Sequence, residues 1–184
     1  MKAIIGLGNF GLRYRDTRHN LGFLVIERLA KKHRIKIKQK LFHCLLGVGL
    51  LEEELVLLAQ PQTFVNLSGQ AAREIVKQKK IALPDLLVVC DDINLPLGKI
   101  RLKADGSDGG HKGLRSIITA LGKSAFARLR IGIGRKKQGG LSKFVLARFP
   151  KAENKIINQA QEQAVACIED WVALGINAAM NKFN

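Results

Sequence analysis

One histidine, His19, has the residue type and the setting that acid–base chemistry needs. It follows the glycine-rich stretch 6–11, which closes a short apolar strand, and its neighbours are Arg18 and Asn20. No cysteine or second histidine stands at metal-ligand spacing beside it. An imidazole titrates near neutral pH, and a helix N-terminus favours its neutral form. We interpret His19 as a candidate general base near a phosphate-rich substrate, with a surface or half-buried hydrogen-bonding histidine as the alternative.

Two acids, Asp91 and Asp92, directly follow the fully apolar run 86–90, the pattern of a central strand. Paired carboxylates there could bind Mg²⁺, although Asn94 would be a weak third ligand. A solvated strand end with a cap is a second interpretation. A third is that Asp91 accepts a hydrogen bond from the ring of His19 and fixes its tautomer, which requires the two strand ends to be neighbours.

Two amides and a glycine-rich run complete the polar candidates. Asn9 and Asn66 stand in turns beside glycine or serine, where each carboxamide could simply bind local backbone. Alternatively, both could face one cleft and bind a peptide backbone or a water. The run 109–113, Gly-Gly-His-Lys-Gly, precedes a predicted helix and has the character of an anion cradle. Neither it nor the N-terminal glycines match the P-loop or dinucleotide-binding patterns.

Positive charge dominates the composition. The 184 residues carry a formal net charge of +16, from 31 lysines and arginines against 15 acids. This excess favours a polyanionic partner, nucleic acid before an acidic membrane surface, over a basic protein without a specific partner. Three groups of basic residues could clamp phosphates: the alternating stripe 99–103, the pair Arg128 and Arg130, and the run 31–40. The alternative is that they cover solvated faces of the sheet. Aromatic residues make up only 5%, so broad base-stacking platforms are not expected.

The pattern of apolar residues predicts alternating strands and helices. Strands are expected at 3–7, 44–50, 55–59, 86–90, 99–103 and 127–133. Helices are expected from residue 20, after a Ser68 cap, after the glycine-rich loop 106–113, and over 157–171. The order predicts an α/β fold: one domain over residues 1–184, with a twisted mixed β-sheet and helices on both faces. Asn9, Asp91 and the glycine-rich loop should then meet at the carboxyl ends of the strands.

The cysteines and the hydropathy of the chain indicate the compartment in which the protein works. The three cysteines are far apart, lie in apolar runs and are odd in number, which predicts buried free thiols in a reducing compartment. The N-terminus leads directly into a strand without a signal-peptide pattern, and no apolar run is long enough to cross a bilayer. We therefore expect a cytoplasmic protein that does not insert into a membrane.

Several of these segments together resemble bacterial-type peptidyl-tRNA hydrolases. The matching stretches are 6–9, Tyr14, 17–23, 61–69, 95–99, 109–111, 128–134 and 144–146. They span nearly the whole chain. The resemblance implies an esterase that hydrolyses the bond between peptide and tRNA in peptidyl-tRNA released prematurely from ribosomes, recycling the tRNA. It further implies a usually monomeric, cytoplasmic enzyme with no metal, no cofactor and no obligate protein partner.

The resemblance also implies a role for each candidate site residue. His19 would be the general base, Asp91 would stabilise its proton-accepting state, and Asn9 would sense whether the amino-acyl nitrogen is acylated. The substrate- and tRNA-binding residues would be Tyr14, Phe64, Asn66, His111, Lys112, Lys103 and Arg130. Of these, Lys103 and Arg130 would contact phosphates of the tRNA.

Five positions depart from the family's usual pattern. Lys112 stands where the family usually has asparagine, so a carboxamide is replaced by a cation that would meet a phosphate or lose the contact. The other departures are Phe10 for proline, Val65 for methionine, Cys90 for a frequent histidine and Asn94 for a frequent aspartate. Lys112 keeps open the alternative of a non-catalytic RNA-binding protein on the same scaffold. A Mg²⁺-dependent phosphate enzyme using Asp91 and Asp92 is a third hypothesis.

Overall fold

A seven-stranded sheet organises the chain, which a computed structural model describes over residues 1–135 and 140–184. The strands are β1 Lys2–Gly6, β2 Gln39–Leu41, β3 Cys44–Leu51, β4 Glu54–Pro61, β5 Leu86–Asp92, β6 Ile100–Lys103 and β7 Ala127–Gly132. The α-helices are α1 Leu21–Lys32, α2 Ser68–Gln78, α3 Lys112–Leu121, α4 Leu141–Val145, α5 Asn154–Leu174 and α6 Ile176–Phe183. Three short 3₁₀ turns that matter for the site are Leu12–Tyr14, Arg18–Asn20 and Val65–Leu67.

The sheet is mixed and has the strand order β2-β3-β4-β1-β5-β7-β6. β4, β1, β5 and β7 run parallel, whereas β3 pairs antiparallel with β4 and β6 pairs antiparallel with β7. Every residue of β5 is buried, as expected of a strand that is apolar on both faces. The predicted α/β fold with a mixed sheet and helices on both faces is confirmed.

Each face of the sheet has its own hydrophobic core. Side chains alternate along β1, so that Ile4 packs with α1 and α5 on one face while Ile5 packs with α2 and α3 on the other. Trp171 is 1% exposed within the first core and reports on unfolding. Two covered faces make the sheet a rigid support for side chains at its edge.

The described residues hold the three cysteines as free, buried thiols, in agreement with the sequence-based prediction. Burial raises the pKa of both Cys44 and Cys167 to about 12, and it also raises that of Cys90. These thiols are therefore protonated at neutral pH and are poor nucleophiles. Among the described helices, none has the combined length and apolar character that a membrane span requires.

The prediction that Ser68 caps α2 is wrong. Ser68 is the first residue of the helix, and its hydroxyl donates to the carbonyl of Val65 at 2.9 Å instead of accepting from a helix N–H. The 3₁₀ turn Val65–Leu67 is continuous with α2, so no separate N-cap residue is needed. In this turn Asn66 is exposed beside the carboxyl edge of the sheet.

Close packing of α1 on the sheet brings its N-terminus to the ends of β1 and β5. A Cβ atom on Gly22 would stand 2.4 Å from the amide nitrogen of Leu7 and 2.5 Å from the carbonyl oxygen of Val89. Only glycine permits this approach. The turn that precedes α1 and contains His19 therefore lies directly over the end of β5.

Candidate active site

His19 and Asp91 meet at the carboxyl edge of the sheet. His19 lies in the 3₁₀ turn before α1, and Asp91 is the penultimate residue of β5. Nδ1 of His19 is 2.8 Å from Oδ1 of Asp91, and both residues are buried. The two strand ends are thus neighbours, which was the condition for the pairing considered from the sequence.

A second histidine shares the same carboxylate. Nδ1 of His111 accepts the backbone N–H groups of Gly113 at 3.1 Å and Leu114 at 3.3 Å, so that His111 caps α3. Its proton is therefore on Nε2, which donates to Oδ1 of Asp91 at 3.0 Å. The rings of His19 and His111 lie with centroids 5.0 Å apart. Asp91 consequently receives one N–H from each imidazole.

This arrangement fixes the tautomer of His19. Because Nδ1 donates to Asp91, Nε2 carries the lone pair, and no described residue forms a hydrogen bond with it. His19 lines a pocket of about 310 Å³. The histidine therefore presents a proton-accepting nitrogen to whatever occupies the pocket, which is the arrangement a general base requires.

The charges of the site shift two pKa values in opposite directions. Burial alone would raise the pKa of Asp91, but the charges and hydrogen bonds of His19 and His111 outweigh it and hold the pKa far below its usual range. Burial alone would lower the pKa of His19, and nearby Lys112 also lowers it, yet the charge and hydrogen bond of Asp91 raise it above 6.5. Asp91 is therefore ionised and strengthens His19 as a base.

Asn9 is held so that its amide nitrogen is left available. Its backbone N–H donates to Oδ1 of Asn20 and its carbonyl accepts from Nδ2 of Asn20, both at 2.9 Å. Its own Oδ1 accepts the backbone N–H of Val65 at 2.9 Å. The Nδ2 group of Asn9, which lines the pocket, can therefore donate to a ligand. Asn20 was missed in the sequence, although its place next to His19 in the same turn was a usable signal.

The rest of the pocket divides into polar and apolar walls. Asn66, Lys112 and Arg130 complete the polar side, together with Asn9, His19 and His111. The apolar side is formed by Val65, Ile93, Leu141, Val145 and Leu146. The last three residues come from the segment around α4, which sequence reasoning did not connect with the site.

An exposed aromatic patch, made by Phe10, Tyr14 and Phe64, adjoins Asn9 and Val65 in the chain. The ring centroids of Phe10 and Phe64 are 5.4 Å apart, and those of Tyr14 and Phe64 are 6.4 Å apart in an edge-on arrangement. Phe10 is 43% and Phe64 is 48% exposed. Exposed rings of this kind can stack on a nucleobase or cover an apolar side chain. Phe10 was noted in the sequence as a departure but not as part of this patch.

The structure does not support Asp91 and Asp92 as a paired magnesium site. Consecutive residues of a strand point to opposite faces, and here Asp91 bonds the two histidines while Asp92 pairs with Arg130 at 2.8 Å. His19, Asp91 and His111 do place three possible ligand atoms within 4.8 Å of one another. However, the lone pair of His111 is already used by the N-terminus of α3, which favours the hydrogen-bonded interpretation of this cluster.

Comparison with known proteins identifies the family. A family model described as peptidyl-tRNA hydrolase matches residues 3–184. The peptidyl-tRNA hydrolase of Syntrophomonas wolfei is 45% identical over 184 residues, and that of Caldanaerobacter subterraneus is 46% identical, each alignment covering both chains completely. The chain belongs to the peptidyl-tRNA hydrolase family. A crystal structure of the peptidyl-tRNA hydrolase from Acinetobacter baumannii superimposes with a TM-score of 0.95 at 38% identity, covering 100% of this chain and 94% of that one.

Within this peptidyl-tRNA hydrolase fold, the basic residues proposed as a phosphate clamp separate into different roles. Arg128 is 1% exposed and donates to the carbonyls of Gly106, Ser107 and Ser124, so it is not available to phosphate. Arg130 lines the pocket and is paired with Asp92. Lys103 is exposed on the edge strand β6, about 10 Å along the strand from the level of the pocket.

The basic run 31–40 does not join these residues in one clamp. Its last residues enter β2, which forms the edge of the sheet opposite β6. Lys32 and His33 are engaged by Glu169 of α5. The interpretation that the three segments clamp phosphates together is therefore wrong, because the strand order places two of them at opposite edges.

The glycine-rich loop reaches the site by a different path from the expected one. β6 is antiparallel to β7, so its carboxyl end, at Lys103 opposite Arg128, points away from the site. The loop then returns over β7, where Arg128 holds the carbonyl of Gly106. Gly109 has a φ of +56° where the loop passes Arg130, a left-handed conformation that favours glycine.

Lys112 occupies the first turn of α3 and lines the pocket, with no ion pair to any described acid. A cation at a helix N-terminus opposes the helix dipole. We expect Lys112→Asn to raise the free energy of unfolding by about 0.3–1 kcal/mol at low salt, less at high salt. Urea unfolding followed by Trp171 fluorescence measures this change.

The same variant should move the acidic limb of the pH–activity profile to higher pH, because Lys112 lowers the pKa of His19. A lower unfolding free energy or a downward shift would contradict this account.

Proposed function

We propose that His19 is the general base in the hydrolysis of an ester between a peptide and a tRNA ribose. Nε2 of His19 takes a proton from water, and the resulting hydroxide attacks the ester carbonyl. The observation that carries this proposal is the 2.8 Å bond between Nδ1 of His19 and Asp91, which puts the proton of the neutral ring on Nδ1 and leaves Nε2 as the basic nitrogen of a residue that lines the pocket. The ribose oxygen then leaves with the proton that His19 returns to it.

Asp91 stabilises the imidazolium that forms during attack. The carboxylate is buried and ionised, and His111 donates a second hydrogen bond to the same oxygen, Oδ1. This second donor keeps Asp91 in place without competing for the water. His111 therefore acts through Asp91, and its cap of α3 keeps its own ring fixed.

Donors around the pocket stabilise the tetrahedral oxyanion and orient the acyl group. Nδ2 of Asn9 is the donor that its other hydrogen bonds leave unused, and Asn66 and Lys112 line the same pocket. Such groups assist where negative charge develops on the carbonyl oxygen. Donation from Asn9 to the peptide carbonyl would also distinguish an acylated amino acid from a free one.

As a member of the peptidyl-tRNA hydrolase family, the chain is an ester hydrolase that acts on peptidyl-tRNA. The nucleotide end of the substrate is held by the aromatic patch of Phe10, Tyr14 and Phe64, and phosphates by Arg130 and Lys103. Phosphate contacts carry no sequence information, which suits an enzyme that accepts every tRNA. We further propose that the chain works as a cytoplasmic monomer, folded as one domain over residues 1–184, without a metal, a cofactor or an obligate protein partner.

The direct test is turnover of N-acetyl-aminoacyl-tRNA by the purified chain in excess EDTA. We expect release of the N-acetyl amino acid at the same rate with and without the chelator, because no step uses a metal. Loss of turnover in EDTA would favour a metal at the His19, Asp91 and His111 cluster. Binding of tRNA without turnover would favour the non-catalytic RNA-binding alternative.

The two phosphate-binding residues should differ in their effects. Lys103→Ala should weaken tRNA binding about equally for all tRNAs and reduce the slope of log K against log salt by about 1, as expected for one phosphate contact. Arg130→Ala should do the same and raise KM more than Lys103→Ala does, because it also removes the partner of buried Asp92 at the pocket. Fluorescence anisotropy of labelled tRNA from 50 to 300 mM salt gives both slopes. An unchanged slope would remove the residue from the phosphate contacts.

A further inference from the structure

Arg18, the residue before His19, is a buried cation that contacts the segment around α4. It is 6% exposed, and its Nη1 lies 2.6 Å from Oε2 of Glu153. Its guanidinium contacts two rings, with the central carbon 4.6 Å from the centroid of Phe144 and 4.5 Å from that of Phe149. The guanidinium therefore contacts one carboxylate and two rings, while its Nε has no hydrogen-bond partner among the described residues.

The backbone makes the same connection. The N–H of Arg18 donates to the carbonyl of Ala147 at 3.0 Å, and Thr17 forms a β-bridge with Arg148. The turn that carries His19 and the segment 144–153 are thus joined by main chain and by one side chain. A shift of one must move the other or break these contacts.

The joined segment forms the apolar wall of the pocket, defined here as Leu141, Val145 and Leu146. Its helix α4 has five residues, none of them fully buried, and Leu141 is 53% exposed. A helix of this length has little stability of its own. The position of the wall therefore depends on contacts outside the helix. These are the contacts of the Arg18 side chain, the main-chain bonds just described, and the packing of Phe144, Val145 and Phe149 on the first core.

We propose that Arg18 is a positioning residue that sets the distance between the apolar wall and His19, and thereby sets the affinity for apolar side chains in the peptide part of the substrate. This inference rests on the proposed esterase function. The wall is uncharged and lies in the same pocket as His19, so its chemistry suits peptide side chains and not phosphates. Arginine is suited to this position because a planar guanidinium can stack between two rings while its edge bonds a carboxylate.

The test compares two substrates in the full-length enzyme. Arg18→Lys keeps the charge but loses the planar stacking. For tRNA carrying N-acetyl-dileucine, we expect its KM to rise about tenfold, the effect of losing good apolar contact in a pocket. For tRNA carrying N-acetyl-diglycine, KM should change less than about threefold, because glycine has no side chain to contact the wall. In Arg18→Lys, the kcat values and the acidic limb of the pH–activity profile should stay unchanged, since His19 and Asp91 are not altered.

Arg28→Lys is the matched control, because Arg28 also pairs with a glutamate, Glu162 of α5 at 2.8 Å, but lies outside the pocket. It should leave the ratio of the two KM values at the wild-type level. Phe149→Leu removes one stacking ring while keeping an apolar side chain, and should raise the dileucine KM selectively if Arg18→Lys does not fold. Trp171 fluorescence establishes that each variant is folded.

Failure of this inference is distinguishable from failure of the proposed function. If the wild-type enzyme cleaves both substrates but the folded variants change both KM values equally, or change only kcat or stability, the positioning role is overturned. If the wild-type enzyme cleaves neither substrate, the esterase function itself fails, and the inference fails with it.

Discussion

Replacing His19 with asparagine lowers kcat for peptidyl-tRNA hydrolysis by about 10²–10⁴-fold, the range expected for loss of a general base. Asparagine can still bond Asp91 through its amide nitrogen, so the local structure is kept while the proton-accepting Nε2 is removed. The affinity for deacylated tRNA should change less than about twofold, because no phosphate contact is proposed for His19. Single-turnover hydrolysis and tRNA binding by anisotropy measure the two quantities separately.

His33→Asn is the matched control for this variant. His33 also contacts a carboxylate, with Nε2 2.6 Å from Oε1 of Glu169, but at the interface of α1 with α5. Its loss should leave kcat at the wild-type level. Near-wild-type kcat in His19→Asn, or an equal loss in both variants, would contradict the role assigned to His19.

Replacing Asp91 with asparagine has the second largest expected effect, a loss of about 10²-fold or more in kcat. The carboxamide keeps the size of the side chain but removes the charge that stabilises the imidazolium of His19. Its amide oxygen can still accept both N–H groups, because His19 and His111 bind the same oxygen, Oδ1. Steady-state kinetics at saturating substrate measure the loss.

The same variant makes a prediction about pH with a definite sign. Asp91 raises the pKa of His19 against the opposing effect of burial. Without Asp91 the pKa of His19 should fall below 6.5, so the residual activity should persist to lower pH than in the wild-type enzyme. An acidic limb that stays in place or moves upward would show that Asp91 does not control the ionisation of His19.

Asp92→Asn distinguishes the role of Asp92 from that of its neighbour Asp91. Asp92 pairs with Arg130 and its Oδ1 accepts the backbone N–H of Asn94 at 2.8 Å. Its replacement should raise KM through Arg130 and leave the acidic limb unchanged. Equal changes in kcat from both variants would indicate a shared role, such as joint binding of a metal ion.

The strands, the helices and their order could be predicted from the sequence because each depends on a local residue pattern. The apolar run ahead of Asp91 predicts a buried central strand, and the 3.6-residue period in α1 predicts a helix starting beside His19. The carboxyl-edge rule for parallel strands then brings Asn9 and Asp91 together. These steps need only the residue pattern along each element and the parallel order of the strands.

Other features depended on contacts between residues far apart in the chain. Arg128 and Arg130 have the same pattern in the sequence, but Arg128 is buried beneath the returning glycine-rich loop while Arg130 reaches the pocket. The glycine-rich loop returns over β7 because β6 runs antiparallel to β7, and no residue pattern within β6 indicates that direction. The apolar wall and its contact with Arg18 likewise join segments more than 120 residues apart, which no local period reports.

The most direct test of the central claim is an NMR titration of the His19 ring beside the pH dependence of kcat/KM. His19→Asn identifies the His19 signals among those of the four histidines. The account predicts a His19 pKa above 6.5 that coincides with the acidic limb of kcat/KM, and a parallel fall of both in Asp91→Asn. A His19 that titrates at one pH while the limb lies at another, or that is unmoved by Asp91→Asn, would contradict it.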